Sequence, residues 1–310
     1  MNTRHRIRTG LLRTCLIAAI AIVVSASLGS ARAARSTPRS PAVSRLELHY
    51  RANDGERRLA YLVLPSWYGQ HDGPALPLVI APHGTGPGPF LELSRAWGDL
   101  AGRGSFAVVF PEGQGRSLAH YSWGYAGQID DLARMPEIVQ TALPWLRIDR
   151  ARIYAVGGSM GGQETLLLVA RYPRLLAGAV SFDAPGDMAL RYEQFGRLPD
   201  GDFLRAQMRK EIGGAPAEVP DAYAERSPIH FARSIATSGV PLQIWWSTRD
   251  ELVVDQRYHS GRIYSDVKRL NPHAPVTQIV GTWPHTAEMR WDRRLPDALR
   301  FLGLLSSSGE

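Results

Sequence analysis

Eight short apolar runs are spread along the chain, and helix-patterned stretches lie between most of them. The runs are LELHY (46–50), RLAYLVL (58–64), LPLVIAP (76–82), FAVVFP (106–111), RIYAVG (152–157), AGAVSF (177–182), PLQIWWS (241–247) and VTQIV (276–280). Helical patterns occupy 91–104, 130–146, 161–173 and 255–270. Strands that are apolar throughout must be covered on both faces, and strands separated by helices pair in parallel. The first two runs are close together and more alternating, which predicts an antiparallel edge. The expected fold class is therefore α/β, with a mostly parallel eight-stranded sheet and helices on both faces. Residues 186–238 break the rhythm with charge and glycine, and are expected to form a small helical cap insertion.

The fifth run leads into Gly157-Gly158-Ser159-Met160-Gly161, a G-x-S-x-G sequence with a strand before it and a helix after it. That context turns a common pattern into a nucleophile elbow. Glycines two residues either side of Ser159 let strand and helix approach closely, which forces the serine into a strained turn at the carboxyl edge of the sheet. The plainer reading is a glycine-rich corner in which Ser159 only caps a helix.

A serine nucleophile needs a base, and the base needs an orienting acid, here expected in the chain order Ser, Asp or Glu, His. His285 lies in the loop after the last run, so it should reach the same sheet edge as Ser159. His259 and His273 fall within or just after a helix candidate, where a solvated surface role is expected; His5, His49 and His71 lie too early in the chain. Asp250, after the seventh run, is the expected acid, with Glu251 beside it and Asp183, after the sixth run, as the rival. Backbone N–H groups of Thr85, in the loop APHGTGPGPF after the third run, and of Met160 are the expected oxyanion donors. His83 reads as a structural histidine of that loop. No His, Asp or Glu cluster has metal-ligand spacing, and Gly84 does not begin a dinucleotide fingerprint because Pro89 stands where the third glycine should be, so neither a metal nor a cofactor is expected.

These motifs together resemble the α/β-hydrolases, in the branch that holds prolyl oligopeptidase-like enzymes and secreted esterases. PHGTG, IDDLARMPEIV, IDRARIYAVGGSMGGQET, SPIHFA, WWSTRDELV and PHTAEM carry the resemblance over about residues 55–303. It implies a Ser159–Asp250–His285 triad and an acyl-enzyme. The chain departs from the peptidases in lacking their large N-terminal propeller, which shifts the expectation to hydrolysis of small or polymeric carboxylic esters. Peptide hydrolysis, acyl transfer and a non-catalytic binding scaffold are the alternatives. Tyr121, Trp123, Tyr125 and Trp283 are candidate pocket walls, with aromatic core packing as the equal alternative, and at least one of Trp245 and Trp246 is expected to be core.

The charge of +7 suggests an anionic partner until it is located. Five arginines and no acid fall within residues 1–33, and removing those five from 36 basic residues leaves 31 against 29 acidic ones. No basic block with interleaved aromatics remains, so nucleic-acid binding is excluded. The same N-terminal stretch has a basic start, an apolar run over 15–28 and small residues at Ala31 and Ala33, the pattern of an export signal. The run is shorter than the roughly 20 residues needed to cross a bilayer, so cleavage without a lasting membrane span is expected. Residues 34–44 then read as a flexible tether and 45–306 as the catalytic domain. The protein is expected to be secreted, or periplasmic where the cell has an outer membrane. Cys15, the sole cysteine, would leave with the signal, so no disulfide and no thiol nucleophile is expected.

Overall fold

The computed structural model describes residues 42–69, 73–85, 96–113, 115–118 and 120–306. The export signal, the tether up to residue 41, His71 and the first part of the 91–104 helix pattern lie outside these residues. The eight apolar runs form eight strands: β1 (Val43–Arg51), β2 (Arg57–Pro65), β3 (Leu76–Ile80), β4 (Ala107–Pro111), β5 (Ile148–Gly158), β6 (Gly178–Phe182), β7 (Leu242–Ser247) and β8 (Val276–Gly281). They make one sheet in the order β1-β2-β4-β3-β5-β6-β7-β8. β1 pairs antiparallel with β2 and β2 with β4, and every other pairing is parallel. β1 starts two residues inside the stretch read as a tether, because Val43 is buried and pairs with Pro65.

Alternation along each strand divides the core into two layers. Leu76, Leu78 and Ile80 of β3 join the cluster on one face, and Val79 joins the cluster on the other. In β7, Leu242, Ile244 and Trp246 point to the first cluster and Trp245 to the second, so both tryptophans are core.

The helices are α1 (Leu100–Gly104), α2 (Ala126–Ala142), α3 (Met160–Arg171), α4 (Met188–Phe195), α5 (Gly201–Ile212), α6 (Pro220–Ala224), α7 (Ala232–Thr237), α8 (Ser260–Leu270) and α9 (Leu295–Phe301). α2 ends before Leu143, earlier than expected, because the residue preceding Pro144 is pushed out of the helical region (φ −130°, ψ 80°). None of the helices among the described residues is long and apolar enough to cross a membrane. Helices α4 to α7 lie in the insertion between β6 and β7. α4, α5 and α6 bury a third cluster, which includes Met188, Tyr192, Phe195, Met208, Ile212 and Tyr223 together with Trp123 and Met160.

The pattern over 255–270 does not give one helix. A 3-10 turn (Gln256–Tyr258) and α8 meet at His259, whose backbone is non-helical (φ −107°, ψ −101°). The surface role expected for His259 is corrected: the ring is fully buried. Its Nδ1 accepts the N–H groups of Gly186 and Asp187 at 3.1 and 3.2 Å, and Nε2 donates to Gln194 Oε1 at 2.9 Å. The ring thus ties the start of the insertion to α4 and to the chain after β7. Burial, aided by the nearby Arg191 cation, pushes its pKa down from 6.5 to about 3.

Folded His259 stays neutral while the unfolded chain takes up a proton, so this contribution to stability is complete above about pH 6.5 and is lost as pH falls toward 3. Melting curves of wild type and His259→Gln from pH 7 to 4 should show the wild type losing stability more steeply, by up to about 1.4 kcal/mol per pH unit. Parallel slopes would refute a buried neutral ring.

Candidate active site

β5 ends at Gly158 and α3 begins at Met160, leaving Ser159 alone at the corner with φ 57° and ψ −125°. A non-glycine residue at positive φ costs on the order of 1–3 kcal/mol and needs its surroundings to hold it. Ser159 N donates to Phe182 O at 2.9 Å, and Ser159 O accepts from Gln163 N at 3.0 Å. Close approach explains the glycines two residues away on each side. A Cβ at Gly157 would lie 2.2 Å from the Gly161 carbonyl oxygen, and one at Gly161 would lie 2.1 Å from the Pro82 carbonyl oxygen. Helix α3 therefore sits against the end of β3, from which Thr85 follows.

His285 lies in the loop after β8 and Asp250 in the loop after β7. The imidazole Nδ1 donates to Asp250 Oδ2 at 2.7 Å. The same carboxylate accepts from Gln256 Nε2 at 3.0 Å through Oδ2, and from the Leu252 and Val253 amides at 2.9 Å through Oδ1. Burial opposes charge on Asp250, but the His285 hydrogen bond and its neighbours outweigh that and hold the carboxyl below the usual range. Glu251 takes a different part of the histidine, accepting its backbone N–H at 3.2 Å.

Asp183, the rival acid, does not hydrogen-bond the imidazole. It accepts from Ser247 N, Trp283 Nε1 and Thr286 N, each at 2.9 Å. Burial pushes its carboxyl up to about 6. Asp183, Asp250 and His285 bring ligand-type atoms within 4.8 Å of one another, a cluster invisible to spacing because it comes from three loops. All four carboxylate oxygens already accept N–H groups, seven in total, which is the chemistry of a hydrogen-bonded frame rather than of a set of free metal donors.

A cavity of about 490 Å³ opens beside the serine, and Thr85, Ser159 and His285 all line it. Its other walls include Leu252, Ala287, Met289 and Arg290, which the sequence marked only by their closeness to Asp250 and His285, and Ala96, which it did not mark as a site residue. Met160 is buried behind the elbow, with Ser122 Oγ and Trp123 N directed at its sulfur at 3.5 and 3.4 Å. Its amide belongs to the first turn of α3, where backbone N–H groups have no intrahelical partner. His83 is buried in the same loop as Thr85. It is pinned by Gly113 N donating to Nε2 at 2.6 Å and by Nδ1 donating to Gly84 O at 2.5 Å, and burial lowers its pKa to about 4.

None of the four aromatic candidates for pocket walls, Tyr121, Trp123, Tyr125 and Trp283, lines this cavity. Trp283 turns inward because its N–H is bonded to Asp183. Trp123 is buried among the helices of the insertion, and Tyr121 packs on the same cluster. Tyr125 lies under the Arg226 guanidinium, 5.4 Å from ring centre to cation. Sequence reasoning also missed the support beneath the acid loop. Arg191 Nη1 donates to Leu252 O at 2.6 Å and Gln194 Nε2 to Val254 O at 2.9 Å, both from α4.

No family model matches the chain. A curated relative, an uncharacterized peptidase YtmA of Bacillus subtilis (strain 168), is 30% identical over 149 residues, covering 48% of this chain and 53% of the relative. The chain thus spans about half the length of the curated relative it matches. Among solved structures, an acylaminoacyl peptidase of Pyrococcus horikoshii aligns with a TM-score of 0.63 at 15% identity, over 87% of this chain and 43% of that one. FphF of Staphylococcus aureus, described as a fluorophosphonate-binding serine hydrolase with substrate bound, aligns with a TM-score of 0.61 at 16% identity, over 85% and 99%. In sheet order, in the corner at Ser159 and in these structural likenesses, the chain has the α/β-hydrolase fold.

Proposed function

We propose that the protein is a serine hydrolase that cleaves carboxylic esters through an acyl-enzyme. The observation that carries this reading is the cavity bounded by Ser159, His285 and Thr85, with the imidazole Nδ1 already committed to Asp250 at 2.7 Å. A histidine whose Nδ1–H is held by a carboxylate has Nε2 free to accept a proton. Ser159 Oγ would attack the ester carbonyl as His285 takes the hydroxyl proton, and the Thr85 and Met160 amides would receive the developing oxyanion. The imidazolium then returns the proton to the departing alcohol, leaving Ser159 acylated. Water, deprotonated by the same ring, releases the acid and restores the serine. The cavity walls supplied by Ala96, Leu252, Ala287 and Met289 suit a compact acyl group.

Peptide hydrolysis is the second reading, favoured by the names of the Bacillus relative and the Pyrococcus neighbour. The two readings share every step and differ in the leaving group, because an amide nitrogen must be protonated before it departs whereas an ester oxygen is a much better leaving group. Export to the cell exterior or periplasm belongs to the same proposal, supported by the basic and apolar N-terminus.

A fluorophosphonate probe should label the protein once, at Ser159, as read by peptide mass spectrometry; labelling elsewhere or no labelling refutes the assignment. Ser159→Ala should lose about a million-fold in kcat on p-nitrophenyl esters, and Asp250→Asn about ten-thousand-fold with its melting temperature kept, if they behave as in other triads. A panel of p-nitrophenyl acetate and butyrate against aminoacyl p-nitroanilides should give the higher kcat/KM on the esters; the reverse order makes the protein a peptidase.

A further inference from the structure

Three loops meet behind His285, and one carboxylate joins them. Asp183, following β6, accepts Ser247 N from the end of β7 through Oδ1, and Trp283 Nε1 and Thr286 N from the His285 loop through Oδ2. Two of its donors therefore flank the histidine, two residues before it and one after. Ser247 closes the frame by donating its hydroxyl to the Trp283 carbonyl at 2.5 Å. The backbone is strained on both sides of the contact, with φ 44° at Asp183 and φ 53° at Thr286. Thr286 is β-branched, so the left-handed region is especially unfavourable to it, and its N–H bond to Asp183 is what secures that conformation. Thr286 also packs on the elbow, where a Cβ added at Gly158 would lie 3.1 Å from its methyl.

We propose that Asp183 is a positioning residue for His285, latching the loop on both sides of the ring and placing a second negative charge beside it. This rests on the reading of Ser159, Asp250 and His285 as a triad. Asp250 holds Nδ1 directly, whereas Asp183 acts through the loop and through space, one of its oxygens lying within 4.8 Å of a carboxylate oxygen of Asp250 and of a ring nitrogen of His285. With both oxygens occupied by N–H donors, the anionic form is the one that the frame fits, although burial raises its pKa to about 6. The other charged or titratable groups facing the ring and its acid are Glu251 on the His285 amide, Arg290 on the cavity wall, and Arg191 and the neutral His259 on the far side of Asp250. None of these bonds to Asp183 among the described residues. When His285 accepts the serine proton, the imidazolium is stabilised by Asp250 through a hydrogen bond and by Asp183 through its charge.

The test compares Asp183→Asn and Trp283→Phe with wild type, reading the rate of fluorophosphonate labelling of Ser159 across pH. Asparagine tolerates the left-handed backbone, so the fold should survive. Asp183→Asn should slow the maximal labelling rate about tenfold or more with little change in the probe's half-saturation concentration. It should also move the acid limb to lower pH by about 0.6 unit or more, as removal of a unit charge near 5 Å requires even in a water-like dielectric. Trp283→Phe removes a latch but keeps the charge, so it should slow labelling several-fold without moving the acid limb. A wild-type rate in Asp183→Asn, or a slowed rate with an unmoved acid limb, overturns the proposal. If Asp183→Asn does not fold, Trp283→Phe decides alone, and a wild-type rate there overturns it. Wild type that resists the probe, or takes it elsewhere than at Ser159, refutes the triad itself and is thereby distinguished from a failure of Asp183.

Discussion

The backbone of α3 touches the backbone at the end of β3, and the geometry of the site follows from that contact. With no side chain at Gly161, the helix comes so near the Pro82 carbonyl that a single methyl would sit 2.1 Å from it. That approach sets the helix start beside the Thr85 loop and leaves Ser159 no choice but the left-handed corner (φ 57°). Sheet strands β5 and β6 add their share, since the Ser159 amide is spent on Phe182 O. Packing thus supplies the energy that holds an unfavourable dihedral, and the dihedral puts a hydroxyl at the mouth of a cavity.

Around this corner the ionisable groups are sorted by what surrounds them. Asp250 collects four N–H donors and stays anionic despite burial, while Asp183, more deeply enclosed, collects three and is shifted upward. His83 and His259 lie buried and neutral, each with both ring nitrogens engaged, one pinning the Thr85 loop and the other the insertion. Among the described residues, only His285 combines a carboxylate on one nitrogen with a place on the cavity wall.

Much of this was legible in the residues themselves. Eight apolar runs became eight strands: β3, β4 and β6 are buried on both faces and carry no charge, while β1 at the edge alternates and admits Arg45 and Glu47. The corner at Ser159 could be read because its glycines sit where strand and helix must touch, and Asp250 and His285 because each follows a strand that ends at that edge. Legibility stopped where a side chain had two uses. Trp283 looked like a pocket wall, but an indole N–H with a buried carboxylate in reach turns inward. His259 looked solvated within a helical pattern, yet three buried polar partners broke that helix around it. Asp183 looked like a competitor for the imidazole, and no periodicity could have revealed that its donors would come from the loop on either side of His285.

The acid loop is carried partly by the helical insertion. Arg191, stacked 4.0 Å over Phe195, and Gln194 both reach from α4 to carbonyls between Asp250 and Asp255. The insertion is therefore not an interchangeable attachment. Replacing α4 would at the same stroke remove the two donors that support the loop between Asp250 and Asp255. Substitutions confined to the outer helices α5 and α6 would leave both of those donors in place.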